Sequence, residues 1–260
     1  MESKNMRILV LDTETTGLNL NTSKICQIAG RIEEIDANGK FSKKGEFAIH
    51  CCPSDMTEAA WEAAKKSFEI NHLSRELLTG KPDEIAVLNE LANIIATYKV
   101  DYLVGQNIME YDLPLMINRL GETSTFSQRL LNIPCLDTKL ISYAINPSEK
   151  NHSLKNLAER YSIKQKNAHD AMDDVNVTLA VFKKFFKSSG KIGIKKFGLK
   201  LSQTPRYNFE DYRRNDGFYH IPVCIKKKYV FNSIDIIEKT DAWFYEKNIL
   251  SEMKKVFVLQ

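Results

Sequence analysis

A short apolar run near the start of the chain constrains the fold more than any other segment. Residues 6–11 have the sequence MRILVL, and Gly17 follows soon after. A run this brief and this continuously apolar predicts a buried central strand rather than an amphipathic helix. Asp12 and Glu14 follow the run, two positions apart. Side chains at i and i+2 on a strand share a face, so both carboxylates can bind one cation, although a polar strand end entering a turn gives the same pattern.

A second polar segment follows another apolar stretch, residues 102–104. Apolar side chains then recur at helical spacing, at Leu113, Met116, Ile117 and Leu120. This spacing predicts a helix over residues 110–120, with Asp112 in its first turn and directed back at the strand ends. The ordinary roles here are capping for Asp112 and a turn for Asn107.

The third segment, HDAMDD, occupies residues 169–174. Apolar residues repeat every three or four positions after it, at Ala171, Val175, Leu179, Phe182 and Phe186. They predict a helix that begins near Asp170, with Asp170 and Asp173 as a capping pair and Asp174 on the inner side. His169 then lies on a loop just outside the helix, either as an ordinary surface residue or within reach of a water molecule at a metal site.

In this order, LDTETTGL, NIMEYDLPL and HDAMDD resemble the exonuclease motifs of the DnaQ-like family, in its DEDDh branch. The resemblance extends over about residues 7–187 and implies a ribonuclease H-like α/β fold, a mixed β-sheet flanked by helices. It implies that His169, five positions before the last acid, is the catalytic base; the sister branch has tyrosine there. The four acids that it implies as metal ligands are Asp12, Glu14, Asp112 and Asp174.

The chemistry of such a cluster accounts for these residue types. Converging carboxylates repel one another and become protonated unless cations neutralise them. Oxygen ligands favour hard ions, so two Mg²⁺ are expected, with Mn²⁺ as a substitute, while no cysteine and histidine set has the spacing of a zinc site. The expected reaction is hydrolysis of phosphodiester bonds at 3′ ends of DNA or RNA, with single-stranded ends favoured and nucleoside 5′-monophosphates released.

The resemblance also implies substrate contacts. The backbone of Thr15 and the side chain of Leu18 stand where related enzymes hold the terminal 3′-hydroxyl and the last bases, and Asn107 is a further substrate-binding candidate. Core packing is an equally good interpretation of Leu18. The chain departs from the family at Gln106 and Tyr111, where His and Phe are frequent. These departures affect the expected substrate contacts rather than the metal ligands.

Local patterns predict the remaining elements of the first domain, residues 1–188. Strands are predicted at residues 7–11, 25–35, 41–50, 102–104 and 133–136, with Asn38 and Gly39 in a turn between the second and third. Helices are predicted at residues 57–66, 74–79 and 84–98, followed by the Asp112 helix and, after the last strand, by three more. This order favours a mixed central sheet flanked by helices.

A second, small α+β domain is predicted at residues 189–260, after a linker at residues 188–193. From Lys191 onward the chain has fourteen Lys plus Arg and eight Asp plus Glu, and twelve of its 25 aromatic residues. Strands are predicted at residues 218–225 and 229–234, and a helix at residues 241–256. Basic and aromatic residues together are typical of single-strand binding surfaces, and they are equally typical of a small core with a solvated rim.

Composition restricts the remaining interpretations. The chain has no apolar stretch long enough to span a bilayer and no signal peptide, and its five cysteines lack C-x-x-C spacing. We therefore expect an intracellular, cytoplasmic protein with free thiols and no membrane association. Nucleic acid 3′ ends are the expected partner. A polymerase or other protein partner, for proofreading, and a non-catalytic nucleic-acid-binding role stay open as alternatives, and the sequence leaves the oligomeric state open.

Overall fold

The computed structural model describes residues 5–121, 123–146, 149–165, 169–195, 198 and 200. The strands in this part of the chain are β1 (Met6–Thr15), β2 (Ile25–Ile35), β3 (Phe41–His50), β4 (Tyr102–Gly105) and β5 (Cys135–Asp137). The helices are α1 (Glu58–Asn71), α2 (Arg75–Leu78), α3 (Glu84–Thr97), α4 (Asp112–Leu120), α5 (Thr125–Asn132), α6 (Thr138–Ile145), α7 (Leu154–Arg160) and α8 (Ala171–Lys195).

The strands form one mixed sheet in the order β3-β2-β1-β4-β5. β1, β2 and β3 are antiparallel neighbours, whereas β4 lies parallel to β1, and β5 lies parallel to β4. Helical crossovers join the parallel strands, as parallel pairing requires. The predicted ribonuclease H-like architecture, a mixed sheet flanked by helices, is confirmed.

β1 is the central strand, and its apolar run is buried on both faces. Ile8, Leu9 and Val10 have no exposed surface, as the sequence pattern predicted. β3 lies at the edge of the sheet and alternates exposed and half-buried residues. Its two lysines and its polar outer face are typical of an edge strand that resists pairing with other chains.

Helix α8 covers one face of the sheet and packs against β1, β2 and β4. Its apolar stripe includes Phe182 and Phe185, which are fully buried, and Phe41 of β3 packs edge-on against Phe182. Because α8 crosses the central strand, its first turn lies at the end of the sheet where β1 finishes. Asp174, in the first turn of α8, therefore lies at this end of the sheet.

A buried carboxylate ties the start of β2 to two helices. Glu84, at the N-terminus of α3, accepts a hydrogen bond from the Ile25 backbone N–H at 2.9 Å and forms an ion pair with Arg119 of α4. Arg119 also binds Asp55 at 3.1 Å. Burial raises the pKa of Glu84 above its ordinary value, while Arg119 acts in the opposite direction. The charge is buried because both partners compensate it.

Several predicted boundaries differ from those of the structure. β1 continues four residues past its predicted end, because antiparallel pairing with β2 continues to Thr15. α1 extends to Asn71 rather than ending near residue 66, and α5 was not predicted at all. The Asn38–Gly39 turn is confirmed, and its Gly39 has a φ of 80°.

The predicted linker at residues 188–193 is helical on both sides of Gly190. Gly190 has φ 64° and ψ 177° and interrupts the helical backbone of α8. The predicted strands at residues 218–225 and 229–234 and the helix at residues 241–256 lie outside the described residues. The boundary between two domains therefore stays a prediction.

Within the described ranges, no helix combines the length and apolar character needed to cross a membrane. Cys26, Cys51, Cys52 and Cys135 are free thiols. Burial raises the pKa of each of these four thiols, which makes their thiolate forms less accessible.

We predict that Glu84→Ala lowers the free energy of unfolding by about 3 kcal/mol, because it leaves the buried Ile25 N–H without an acceptor and removes the buried ion pair with Arg119, which keeps only Asp55. Glu84→Gln retains an acceptor for Ile25 and should cost less. Urea unfolding followed by circular dichroism measures both. Glu62→Ala, which removes an exposed ion pair with Lys65, is the control and should change stability by less than about 0.5 kcal/mol. Equal losses in Glu84→Ala and Glu62→Ala would contradict the role of Glu84.

Candidate active site

The candidate site lies where β1 extends beyond its parallel neighbour. β1 pairs with β4 only through Val10, whereas its pairing with β2 continues through Asp12 and Glu14. The two carboxylates therefore lie within a regular strand, whereas the sequence analysis placed them just after it. A register shift follows between Glu14 and Thr15. Two acidic side chains on one face of a rigid strand are held at a fixed separation.

Asp112 approaches the edge of β1 that β4 leaves uncovered. The Thr13 hydroxyl donates to Asp112 Oδ1 at 2.6 Å, and the Thr13 backbone also donates to this carboxylate. Asp112 is the first residue of α4 and is buried, as predicted for a first-turn acid. The Asp112 carboxylate thus accepts from both the backbone and the side chain of Thr13 at the uncovered edge of β1. These contacts fix Asp112 beside Asp12.

The first turn of α8 brings the third segment to the same place. Ligand atoms of Glu14, His169 and Asp174 all lie within 4.8 Å of one another. Asp170 caps the helix, since its Oδ1 accepts from the Asp173 backbone N–H at 3.0 Å, which confirms the capping prediction. His169 precedes the cap, is exposed, and has a left-handed backbone with φ 65°. Non-glycine residues in this conformation are uncommon and are frequent at functional sites.

Burial raises the pKa of all four acids in the cluster, and repulsion between them raises the pKa of two, Asp12 and Glu14, further. Burial raises the pKa of Asp12 well above its ordinary value, and the charges of Asp112 and Glu14 raise it further. Burial raises the pKa of Glu14 to about 8, with repulsion from Asp174 next, and burial raises that of Asp112 to about 7. The pKa of Asp174 is raised mainly by burial. Without a counter-charge, the cluster therefore retains protons near neutral pH.

Neutral donors from other elements partly compensate these charges. Asn71, the last residue of α1, donates from Nδ2 to the Thr15 carbonyl at 3.1 Å, and its side chain lowers the pKa of Glu14. Gln165 donates from Nε2 to Asp174 Oδ1 at 2.7 Å. The buried Asn71 Oδ1 has no protein partner among the described residues. Both amides hold a carboxylate in place without adding charge.

The loop before Asp112 is held by a second buried acid. Asp137, at the end of β5, accepts backbone N–H bonds from Asn107 at 3.0 Å and from Met109 at 3.2 Å. Lys139 donates to Asn107 Oδ1 and to Glu110 Oε2, each at 2.8 Å. Asn107 has φ 63°, so the turn predicted there is confirmed. Its side-chain oxygen points to Lys139, and its role as a substrate contact stays a prediction.

A glycine makes this loop sterically feasible. A Cβ added at Gly105 would lie 2.6 Å from Ile108 Cβ, which is closer than two carbon atoms can approach. Gln106, one of the two departures from the family pattern, is tied to neighbouring segments. It accepts from the Thr138 hydroxyl at 2.6 Å and donates to the His152 carbonyl at 2.7 Å. In this structure Gln106 joins three chain segments behind the site.

Thr15 and Leu18, the predicted substrate contacts, lie on the loop that leaves β1. Thr15 is 7% exposed, whereas Leu18 is 67% exposed, so the core-packing interpretation of Leu18 is wrong. Tyr111, the second departure, shares a hydrogen bond of 2.7 Å with the Thr15 hydroxyl. Burial raises the pKa of Tyr111 to about 12, so its hydroxyl stays protonated.

The sequence analysis did not assign roles to Thr13, Asn71 and Gln165. Each contacts a cluster acid or its backbone across a long separation in sequence or from a loop of irregular structure. Asn71 falls in the segment 68–82 that resembles the family, but no local pattern indicates which acid it approaches. The available signal was an amide side chain at the C-terminal end of a helix, next to the apolar face of that helix.

The donor set fits a divalent cation. The cluster provides carboxylate oxygens and one imidazole nitrogen, with no thiolate. Hard divalent ions select such oxygen-rich sites, and their charge would relieve the repulsion that raises each pKa. The orphaned Asn71 Oδ1 adds a further buried acceptor next to this site.

We predict that the metal-free protein loses stability as pH rises. The pKa of Glu14 rises on folding from 4.5 to about 8, and that of Asp112 rises from 3.8 to about 7. The protonated forms therefore contribute stability that is complete below the unfolded pKa values and is lost as pH rises through the folded values. In EDTA, the Tm should fall by about 5 °C or more between pH 5 and pH 8. Mg²⁺ or Mn²⁺ should restore it at pH 8.

The matched variants for this experiment are Asp12→Asn and Asp36→Asn. Asp12→Asn removes one repelling charge and should flatten the pH profile and weaken the effect of metal. Asp36 accepts hydrogen bonds within the β2–β3 turn, at the other end of the sheet, and its variant should retain the wild-type profile. A metal-free Tm that stays constant or rises from pH 5 to pH 8 would contradict the charge cluster.

Comparison with known proteins agrees with this geometry. The family model RNase_T, described as exonuclease, matches residues 9–182. DNA polymerase III subunit epsilon of Aquifex aeolicus is 23% identical over 180 residues, which are 69% of this chain and 80% of that subunit. DNA polymerase III PolC-type of Mycoplasma genitalium is 24% identical over 188 residues, which are 72% of this chain but only 12% of that polymerase.

Solved structures show the same fold. E. coli exonuclease I in complex with a dT13 oligonucleotide has a TM-score of 0.56 and 19% identity, over 74% of this chain and 43% of that one. A zinc-bound form of the same enzyme with single-stranded DNA gives the same TM-score, 0.56. From the family model over residues 9–182 and this fold, we conclude that the chain belongs to the DnaQ-like 3′-5′ exonucleases, which have a ribonuclease H-like fold.

Proposed function

We propose that this chain is a two-metal-ion 3′-to-5′ exonuclease that releases nucleoside 5′-monophosphates from nucleic acid ends. The observation that supports this most directly is the convergence of Glu14, Asp174 and His169 within 4.8 Å at one end of the sheet. Asp12 and Asp112 lie beside them, as their mutual repulsion requires. No structural role calls for four acids that destabilise one another.

The four acids are the proposed metal ligands, and each comes from a rigid element. Asp12 and Glu14 lie on β1, while Asp112 and Asp174 lie in the first turns of α4 and α8. Mg²⁺ is the proposed ion, with Mn²⁺ as a substitute, because the four proposed ligands are carboxylates, whose oxygen atoms hard ions prefer. A pair of such ions, when bound, supplies Lewis acidity to the scissile phosphate and lowers the pKa of the attacking water.

His169 is the proposed general base. It is exposed on the loop before α8, so it can approach a water molecule beside Glu14 and Asp174 without leaving the cluster. A neutral imidazole can accept a proton from a water molecule and release it to solvent afterwards. The exposure of His169 also favours the release of this proton, because the imidazole can pass it directly to solvent.

The proposed substrate is single-stranded DNA at its 3′ end. Relatives are subunits of DNA polymerases, and a structure with the same fold is a complex with a dT13 oligonucleotide. Leu18 offers an exposed apolar side chain to the terminal bases, and the backbone of Thr15 and the amide of Asn107 are the proposed polar contacts. RNA ends are the competing substrate, since recognition of the 2′-hydroxyl depends on contacts that these residues do not determine.

Proofreading with a separate polymerase is the second candidate function. It is favoured by the similarity to the epsilon subunit, which the alignment covers over 80% of its length. A polymerase partner predicts faster removal of a mismatched 3′ nucleotide when that polymerase is added. A free-standing nuclease predicts no such effect. A non-catalytic nucleic-acid-binding protein predicts binding without product.

We predict that the wild-type chain shortens a 5′-labelled single-stranded DNA from its 3′ end in Mg²⁺ or Mn²⁺ and is inactive in EDTA. Asp12→Asn should reduce kcat by more than about 100-fold, and His169→Asn by about 100- to 10,000-fold. Gel electrophoresis resolves the ladder, and a 3′-labelled substrate identifies the released mononucleotide. The same assay on single-stranded RNA and on duplexes ranks the substrates.

Two control variants match these changes. Asp36→Asn makes the same chemical change at the opposite end of the sheet. His72→Asn matches His169→Asn, because His72 is also exposed and also left-handed, with φ 55°. Both controls should retain wild-type rates, since asparagine tolerates this backbone conformation. Activity that persists in Asp12→Asn, or that is equally low in both histidine variants, would overturn the assignment.

We further propose that the basic, aromatic residues 189–260 contribute to nucleic acid binding. The support is compositional, a surplus of six positive charges from Lys191 onward. Replacement of Lys226, Lys227 and Lys228 by glutamine should weaken affinity for a single-stranded oligonucleotide and lower the slope of log K against log salt by about 1 to 2. Fluorescence anisotropy at three salt concentrations measures it. An unchanged slope would favour docking onto the catalytic domain or a protein partner instead.

A further inference from the structure

We propose that the Tyr111 hydroxyl is a positioning group that holds the loop after β1 in the conformation that receives the 3′-terminal nucleotide. This inference rests on the proposed exonuclease function and adds a residue to which that function assigns no role. Tyr111 stands immediately before Asp112, while the loop begins at Thr15, immediately after Glu14. One side chain therefore links the loops that follow two of the proposed metal ligands.

The hydroxyl lies at the centre of a small hydrogen-bond cluster. It donates to the Gly17 carbonyl and shares a hydrogen bond of 2.7 Å with the Thr15 hydroxyl. The Thr15 hydroxyl also reaches the Gly17 carbonyl, at 2.8 Å. Ser23, at the other end of the loop, is close enough to lower the pKa of Tyr111, as the Thr15 hydroxyl does. The hydroxyl groups of Thr15 and Tyr111 and the carbonyl of Gly17 thus close the turn between Thr15 and Gly17.

Other contacts hold the loop on both sides of the Gly17 carbonyl. Asn71 binds the Thr15 carbonyl from the α1 side, and Asn118 of α4 donates to the Leu20 carbonyl at 3.1 Å. The Thr16 N–H donates to the Lys24 carbonyl at 3.0 Å. Between these anchors, the Gly17 carbonyl accepts side-chain hydrogen bonds from Thr15 and Tyr111. The orientation of the Gly17–Leu18 peptide therefore depends on these two hydroxyl groups.

The position of this turn links it to substrate rather than to the core. Leu18 follows Gly17 directly and projects into solvent, so a small rotation of the turn moves it freely. Thr15 adjoins Glu14, so a phosphodiester bound at the carboxylates lies against the same turn. The ring of Tyr111 packs onto the core beneath it. Phenylalanine has the same ring, so Tyr111→Phe should retain this packing. Loss of the hydroxyl alone should therefore change substrate binding and leave the carboxylates in place.

The test compares Tyr111→Phe with wild type on a 5′-fluorescein oligothymidine of 13 residues. Because a lost hydrogen bond weakens an equilibrium by about 5- to 10-fold, both the Kd in EDTA and the KM in Mn²⁺ should rise by that factor. The kcat should stay within about twofold, since no ligand or base moves. Hydrogen exchange should accelerate in residues 16–23 and remain unchanged in β1.

A double-mutant cycle with Thr15→Val separates a shared function from two independent ones. If the hydroxyls act through one another, the double variant should bind no more weakly than the weaker single variant. Tyr98→Phe is the control, because Tyr98 ends α3 near β3, at the end of the sheet opposite the acids. It should retain the wild-type Kd, KM and exchange.

The outcomes distinguish this inference from the proposed function. A Kd and exchange pattern of Tyr111→Phe equal to wild type would overturn the positioning role, whether or not the chain is a nuclease. A fall in kcat at constant KM would also overturn it, since that result would place Tyr111 in the chemical step. Absence of nuclease activity in wild type, with a weakened Kd in Tyr111→Phe, would overturn the proposed reaction and retain the loop as a binding element.

Discussion

Repulsion among buried carboxylates is the constraint on which the rest of the site depends. Burial raises the pKa of Asp12, Glu14, Asp112 and Asp174, and the charges of neighbouring acids in the cluster raise the pKa of Asp12 and Glu14 further. Such a cluster would separate if its members were on flexible loops. The cluster persists because β1 is buried on both faces and two helices begin beside it. The packing of the entire sheet therefore opposes the repulsion between the carboxylates.

The elements around the acids divide into rigid supports and adjustable loops. Neutral donors come from α1, from β1 itself and from the loop before His169, and they orient the carboxylates without neutralising them. A divalent cation can then provide the missing charge. Asn107 and His169, two of the five non-glycine residues with a left-handed backbone in the described part of the chain, lie in the segments that carry the proposed site residues.

Local sequence patterns predicted the core elements because each pattern reports burial directly. The run MRILVL predicted β1, and the apolar stripe of residues 171–186 predicted the start of α8 to within one residue. The end of β1 was placed too early, because its last residues are polar and only pairing with β2 keeps them extended. α5 was missed because eight residues contain too few turns for a repeat to be recognised. The linker at residues 188–193 stays a prediction, and the structure adds that Gly190 interrupts the helical backbone there.

The sequence by itself determined which residues are the candidates for the chemistry. Four acids and a histidine in three ordered segments indicated the family, the class of metal and the reaction, since each residue type is fixed by that chemistry. Only the tertiary structure decided how they are held. Asn71 reaches Thr15 across 56 positions, and Tyr111 reaches the turn at Gly17 across 94. Such contacts follow from the packing of α1 and α4 against the end of the sheet, and no local pattern encodes a distance between segments that become neighbours only on folding.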